Sequence, residues 1–202
     1  MHAFGVRQTV QRKVLRRGQR TVTARLGLGA SEAVLGVPAL AMAGRAVALE
    51  DLWGQAATER LCARLAEARD TAHAAAVLVS ALAERLATSH GRKPHAELAL
   101  AAAGKLGSAT VSAVAADLGV SERQLRRVFD ETVGLSPKTF AKLARFRRAL
   151  DAAGAAPNAS WASIAAAAGY YDQSHLIGEF RAIAGVTPRV LQSELRLAPS
   201  LG

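Results

Sequence analysis

A mainly α-helical chain, with a small α+β region ahead of a larger helical domain, is what the sequence predicts, and three observations carry that expectation. Beyond Pro94, seven segments with apolar residues at helical spacing follow one another across short loops. Within them an order of helix, turn and capping residue occurs twice, about fifty residues apart. Ahead of Pro94, β-branched residues cluster in only one or two short runs, too few for a sheet of ordinary size.

Taken in order, residues 1–20 hold six Lys/Arg and no acid and show neither a period of 2 nor one of 3.6. The bases Arg12, Lys13, Arg16, Arg17 and Arg20 repel one another, so a disordered basic arm is expected. Residues 21–90 read as a small α+β region. Thr21 to Leu26 alternates weakly and starts with β-branched residues, which predicts a strand; Gly27 to Glu32 turns into a short helix ending near Gly36 and Pro38. A second extended piece surrounds Val47. Helices are expected over 55–67 and 72–88, with Leu61, Leu65 and then Val79, Leu82 and Leu86 at helical spacing. Ser89 to Pro94 is polar and contains both breakers, so a domain boundary is placed at residue 91. From there to residue 196 the predicted helices run over 94–104, 110–118, 121–133, 136–153, 160–168, 172–184 and 187–195, and they form the seven-helix domain.

Charge narrows the partner. The chain has 202 residues and a net charge of +10; residues 21–91 carry six bases against seven acids, and residues 92–202 carry fourteen against nine. Two basic flanks around a nearly neutral middle favour a polyanion, either nucleic acid or an anionic membrane surface. The one cysteine, Cys62, excludes an internal disulfide and any zinc site of several thiolates, as suits a reducing cytoplasm. No run of about 18 uncharged apolar residues and no signal peptide is present, so a cytoplasmic protein without membrane insertion is expected.

The recurring order carries the function. Between residues 110 and 133, a helix leads to Leu118-Gly119-Val120-Ser121 and a second helix follows. Gly119 can take the positive φ that ends the first helix, Val120 can fill the gap between the two, and Ser121 can cap the second. Leu125 and Phe129, four apart, must face the core, which leaves Arg123, Arg126 and Arg127 on or beside the outward face. Arginine bonds guanine O6 and N7 bidentately in the major groove, or pairs with phosphate. An arginine pair alone marks no more than a solvated helix face, but the order returns. Ile164, Ala165, Ala168, Gly169, Tyr170 and Asp172 repeat helix, turn and cap, and Leu176 and Phe180 repeat the spacing of Leu125 and Phe129.

From Pro94 to Leu195 these residues resemble the AraC/XylS family of bacterial transcription regulators. The second unit carries the most specific part, Ile164-Ala165-x-x-Ala168-Gly169-Tyr170-x-x-x-Ser174-x-Leu176-x-x-x-Phe180-x-x-x-x-Gly185-Val186-Thr187-Pro188; the first carries Gly134-Leu135-Ser136-Pro137-Lys138. The resemblance implies two helix-turn-helix units joined by a long helix, whose reading helices occupy successive major-groove segments of double-stranded DNA. A joining helix over 136–153 spans roughly 27 Å, near the length of one DNA turn of about 34 Å. The resemblance places Arg123, Arg126, Arg127, Gln173, Ser174, Ile177 and Gly178 toward the bases. Lys138, Lys142, Arg145, Arg147, Arg148 and Arg181 are candidate phosphate contacts, of which about half are expected to touch no DNA. Because Gly178 offers no side chain and Ile177 only a methyl contact, the first unit is expected to discriminate and the second to anchor.

Leu35-Gly36-Val37-Pro38 and Val47 to Gly54 are similar to the end of the N-terminal sensory or oligomerisation domain of some AraC-type regulators. With one or two strands, residues 21–90 look like a truncated form, too small for a ligand cavity, which argues against a small-molecule effector. Self-association through the helices over 55–88 is one expectation; that they cover their own small core is the other. RNA polymerase is the remaining partner expected of a regulator.

Rival readings are weak. Gly27-x-Gly29-x-x-Glu32 lacks the third glycine of a dinucleotide loop. Cys62, without a Pro-Cys-His neighbourhood, is expected to be a buried structural thiol and not a methyl acceptor. His73, His90, His95 and His175 form no ligand set with it. Aromatics are too scarce for single-strand binding, and Trp161 and Tyr170 are expected to pack around the second unit. No enzyme, cofactor or metal is predicted, and the alternative kept open is a basic protein that binds DNA without regard to sequence.

Overall fold

The computed structural model describes residues 1–12, 21–89, 94–156 and 158–197. Among them are two short strands, β1 (His2–Phe4) and β2 (Ala46–Ala48), and twelve helices. The first five helices are α1 (Ser31–Leu35), α2 (Ala39–Met42), α3 (Leu49–Trp53), α4 (Gln55–Ala66) and α5 (Thr71–Thr88). Seven more follow: α6 (Pro94–Leu106), α7 (Val111–Asp117), α8 (Glu122–Thr132), α9 (Pro137–Ala155), α10 (Trp161–Ala168), α11 (Gln173–Ala184) and α12 (Pro188–Leu197). The mainly α class with a small α+β region ahead of it is therefore observed.

The C-terminal helices start where the polar caps stand. Thr110, Ser121, Ser136, Ser160 and Asp172 each accept a hydrogen bond from the backbone N–H three residues on, satisfying a donor that the helix itself leaves unpaired. Pro137 follows its cap in the first turn of α9, where a missing N–H costs nothing.

Two cores lie along α9. The first unit buries Leu106, Val114, Leu125, Val128, Phe129 and Ala141; the second buries Phe146, Ala149, Ile164, Leu176, Phe180 and Leu191. Leu143 packs against both, so a single helix lends its first half to one core and its second half to the other. At about 1.5 Å per residue, α9 runs roughly 28 Å.

The N-terminal region departs from expectation at several points. Thr21 to Leu26 forms no strand; β2 instead pairs antiparallel with β1, His2 against Ala48 and Phe4 against Ala46. A strand needs a partner for its backbone groups, and here the start of the chain supplies it. The expected disordered arm is thus corrected for residues 1–12. Val6 packs against the first core and Val10 against the second, the Val10 N–H donates to the Ile183 carbonyl at 2.8 Å, and Arg12 reaches Glu194 and the Ala184 carbonyl. Burial of two valines and three specific hydrogen bonds outweighs the repulsion of a basic run. The rest of that arm, residues 13–20, and residues 90–93 of the expected linker lie outside the described residues.

Two short helices, α2 and α3, were not foreseen, since four or five residues carry too little periodicity to register. Leu49, Leu61, Leu78 and Ala81 join with Trp53, Leu65 and Leu82 in a small core of the region's own, which α4 and α5 cover. Val79 and Leu86, expected at the same spacing to be inside, are exposed. Cys62 is exposed too, where a buried thiol was expected; one residue on from Leu61, it is turned about 100° around α4 and falls outside the small core that Leu61 enters. Residues on either side of the boundary expected at residue 91 touch one another. The Ala39 carbonyl comes so close to Gly134 that a Cβ there would stand 2.7 Å from it, and Gly134 also has φ 76°, so α2 presses on the end of α8 at a position only glycine fills.

Candidate nucleic-acid interface

Both turns are built by the same backbone bonds. Gly119 donates to the Ala116 carbonyl and Val120 to that of Ala115; fifty residues on, Gly169 donates to Ala166 and Tyr170 to Ala165. Both glycines are left-handed, at φ 67° and 82°. Ser121 Oγ then accepts from Gln124 N–H at 3.1 Å and Asp172 Oδ1 from His175 N–H at 2.7 Å, starting α8 and α11. Leu125 and Phe129, and Leu176 and Phe180, are all 0% exposed. With those four side chains inside, the opposite face of each helix must meet solvent.

On α8 that face carries Arg123 and Arg126, both exposed and without a protein partner among the described residues. Arg126 lines a groove of about 350 Å³ with Val111, Glu122, Ser136, Pro137 and Lys138. Arg127 is exposed and 4.0 Å from Glu131 Oε1, while the other carboxylate oxygen, Oε2, accepts from His95 Nδ1 at 2.9 Å. Such an exposed i,i+4 pair is weak enough for phosphate to displace. On α11, Gln173 and Ser174 are exposed in the first turn, while Ile177 is half-buried against the second core. Gly178 is exposed, and a Cβ there would meet nothing within 4 Å.

The expected phosphate contacts divide. Lys138 and Arg181 are exposed and Lys142 is half-buried; Arg147 is exposed but turned back in a fork onto Asp151 at 2.9 and 3.1 Å. Arg145 and Arg148 are half-buried and engaged within the protein. Arg145 donates to Glu179 Oε1 at 2.9 Å, and Arg148 donates to the carbonyl of Gly107. Their spacing along α9 could not reveal this, because Glu179 and Gly107 arrive from opposite ends of the domain.

Tyr171 escaped the sequence reading. The two units repeat at an interval of fifty up to Val120 and Tyr170 but of fifty-one from Leu125 and Leu176 onward, so the second turn is one residue longer. Tyr171 is that residue, and it stands 93% exposed just ahead of the reading helix. The change of interval was the signal. Tyr170 beside it is buried, its ring edge-on to His175 at 5.3 Å. Burial first, and then the charge of Glu179, hold its phenol well above the ordinary range. Trp161 packs on Phe180 at 6.0 Å, so both aromatics named from the sequence lie in the second core.

Two capped, glycine-turned helix pairs with cationic or polar outward faces define the class of DNA-binding helix-turn-helix domain. Residues 114–194 match the family model described as a helix-turn-helix domain. The match runs from α7 into α12 and takes in both units, so this segment is similar to the helix-turn-helix domains of DNA-binding transcription regulators. It spans less than half of the chain. No curated protein and no solved structure matches the chain. Among the described residues, no helix is long and apolar enough to cross a membrane, and no group of three or more His, Cys, Asp or Glu could hold a metal ion.

Proposed function

We propose that the chain binds double-stranded DNA by sequence, reading two successive major-groove segments through α8 and α11. The observation that carries this is the duplicated turn, with identical backbone bonds and an equivalent cap, each copy presenting a solvent-facing helix. A protein that gathers phosphates without regard to sequence needs basic surface but not two positioned helices. Arg123, Arg126 and Arg127 are assigned to bases through α8; Gln173, Ser174 and Ile177 to bases through α11; Lys138, Lys142 and Arg181 to phosphate. Since Ile177 is half inside and Gly178 has no side chain, α8 discriminates more than α11.

Residues 21–90 are proposed as a reduced form of the module that precedes such domains. The exposed Val79 and Leu86 on α5 support a role in pairing with a second copy. RNA polymerase is the further partner of a regulator, and no effector is assigned.

The test is selection of binding sites from random duplexes at physiological salt, followed by affinities for the selected site and a scrambled one. A bipartite site with elements about one turn apart is expected. Arg126→Ala then weakens the selected site by about 1–3 kcal/mol and the scrambled one far less. Base-pair changes under α11 cost less than those under α8. Failure to enrich any sequence would sink the reading in favour of non-specific binding, and equal costs under both helices would sink the division of labour.

A further inference from the structure

Arg145 and Arg148 stand three residues apart on α9, so both guanidiniums leave the same side of the helix that joins the units. Each ties that helix to a different part of the domain. Arg148 donates through Nη2 to the carbonyl of Gly107, in the turn that leads from α6 into α7 of the first unit. The same Nη2 lies 3.6 Å from where a Cβ on Gly169 would be, in the turn of the second unit. Arg145 donates to Glu179 Oε1 on α11 at 2.9 Å and lies over the Tyr170 ring at 5.7 Å. Glu179, whose side chain is 12% exposed, also has His175 Nε2 at 3.6 Å. One face of α9 thus meets the leading turn of the first unit, the turn of the second and the second reading helix itself.

This arrangement is costly. The buried Nε atoms of both arginines have no hydrogen-bond partner among the described residues. Two leucines or methionines packed at the same places would leave no such donors stranded and would be as stable or more so. What an apolar pair lacks is direction. Apolar side chains allow neighbouring helices to slide and rotate by small amounts, whereas a guanidinium fork fixed to a named carbonyl and a named carboxylate admits one arrangement.

We propose that Arg148 and Arg145 are positioning residues that set the distance and twist between the two reading helices, making the chain selective for the spacing between the two half-elements of its site. The inference rests on the two-segment reading above and adds to it the residues that enforce the register. Neither arginine contacts DNA.

One base pair inserted between the half-elements moves the second by about 3.4 Å and turns it by about 35°. The full chain is titrated with its selected site and with the same site carrying one inserted or one deleted base pair. Wild type is expected to lose at least about tenfold in affinity on either change, the scale of a disrupted base contact. Arg148→Met is expected to bind the original site severalfold less tightly but to lose no more than about threefold on respacing. Arg148→Lys, with a single point charge and no fork, falls between the two. Glu179→Gln, which keeps the shape of the side chain and drops the ion pair, also relaxes the spacing preference and serves where Arg148→Met does not fold. Folded variants that keep the full wild-type penalty would overturn the proposal. A wild type that binds a bipartite site with no spacing preference would overturn it as well, leaving the two-segment reading intact. A wild type without a bipartite site would remove that reading and this one together.

Discussion

Gly178 leaves open space on the outer face of α11, and nothing within 4 Å requires it to be glycine. Glycine inside a helix is less favourable than alanine by about 1 kcal/mol, so Gly178→Ala should raise the urea unfolding free energy by about 0.5–1 kcal/mol. An unchanged or lower value would show that the backbone there is held by something other than helix propensity. Tyr170 carries a second expectation. Its phenol pKa is raised in the folded chain, chiefly by burial and next by Glu179. The folded state therefore holds the proton more tightly than the unfolded one, and its contribution to stability is intact below the ordinary phenol range near 10 and lost as pH rises beyond it. The difference in Tm between about pH 9 and about pH 11 should shrink in Tyr170→Phe, which keeps the ring on His175; an equal difference in both proteins would refute the assignment. That Tyr170 packs inside was legible from its place in the repeat. Its surroundings were not, because Arg145 and Glu179 come from two other stretches of chain.

At the scale of elements, the caps decide most. Ser121 and Asp172 each satisfy a donor at the start of a reading helix. Ser121→Ala and Asp172→Ala should each cost about 1 kcal/mol in unfolding free energy, and each should weaken the half-element under its own helix more than the other. Losses in stability without that asymmetry would mean that the caps hold the fold but do not aim the helix. Cap residues and apolar spacing are local signals, which is why α6 to α12 could be read to within two residues. Strands are not local. Thr21 to Leu26 has strand-forming residues but no neighbour to pair with, while Ala46 to Ala48 succeeds because His2 to Phe4 lies alongside. Val79 and Leu86 show the same limit in a helix: their spacing matches Leu82, but which side of α5 meets α4 depends on the packing of both.

Across the whole molecule, the first twelve residues act as a strap. They complete the two-stranded sheet, seat Val6 on the first core and Val10 on the second, and anchor Arg12 at the end of α11 and on α12. Removing residues 2–12 should cost on the order of 2–3 kcal/mol, from two partly buried valines and the lost backbone bonds, or roughly 5–10 °C in Tm. A chain that melts unchanged without them would show that the strap is passive. Gly134 against the Ala39 carbonyl is another junction between the N-terminal region and the domain that follows, as are Leu28 on the first core and Gly29 beside Ala96.

The sequence by itself determined the helical class, the two helix-turn-helix units, their caps and the outward arginines of α8, because each depends on side chains within one or two helical turns of each other. Only the tertiary structure decided which arginines of α9 face inward, what Tyr170 is buried against, where the basic start of the chain goes and which face of α5 stays open. Those outcomes hang on contacts between residues far apart along the chain, and a buried guanidinium is told from a solvated one by the carbonyl or carboxylate that meets it, which no local spacing records.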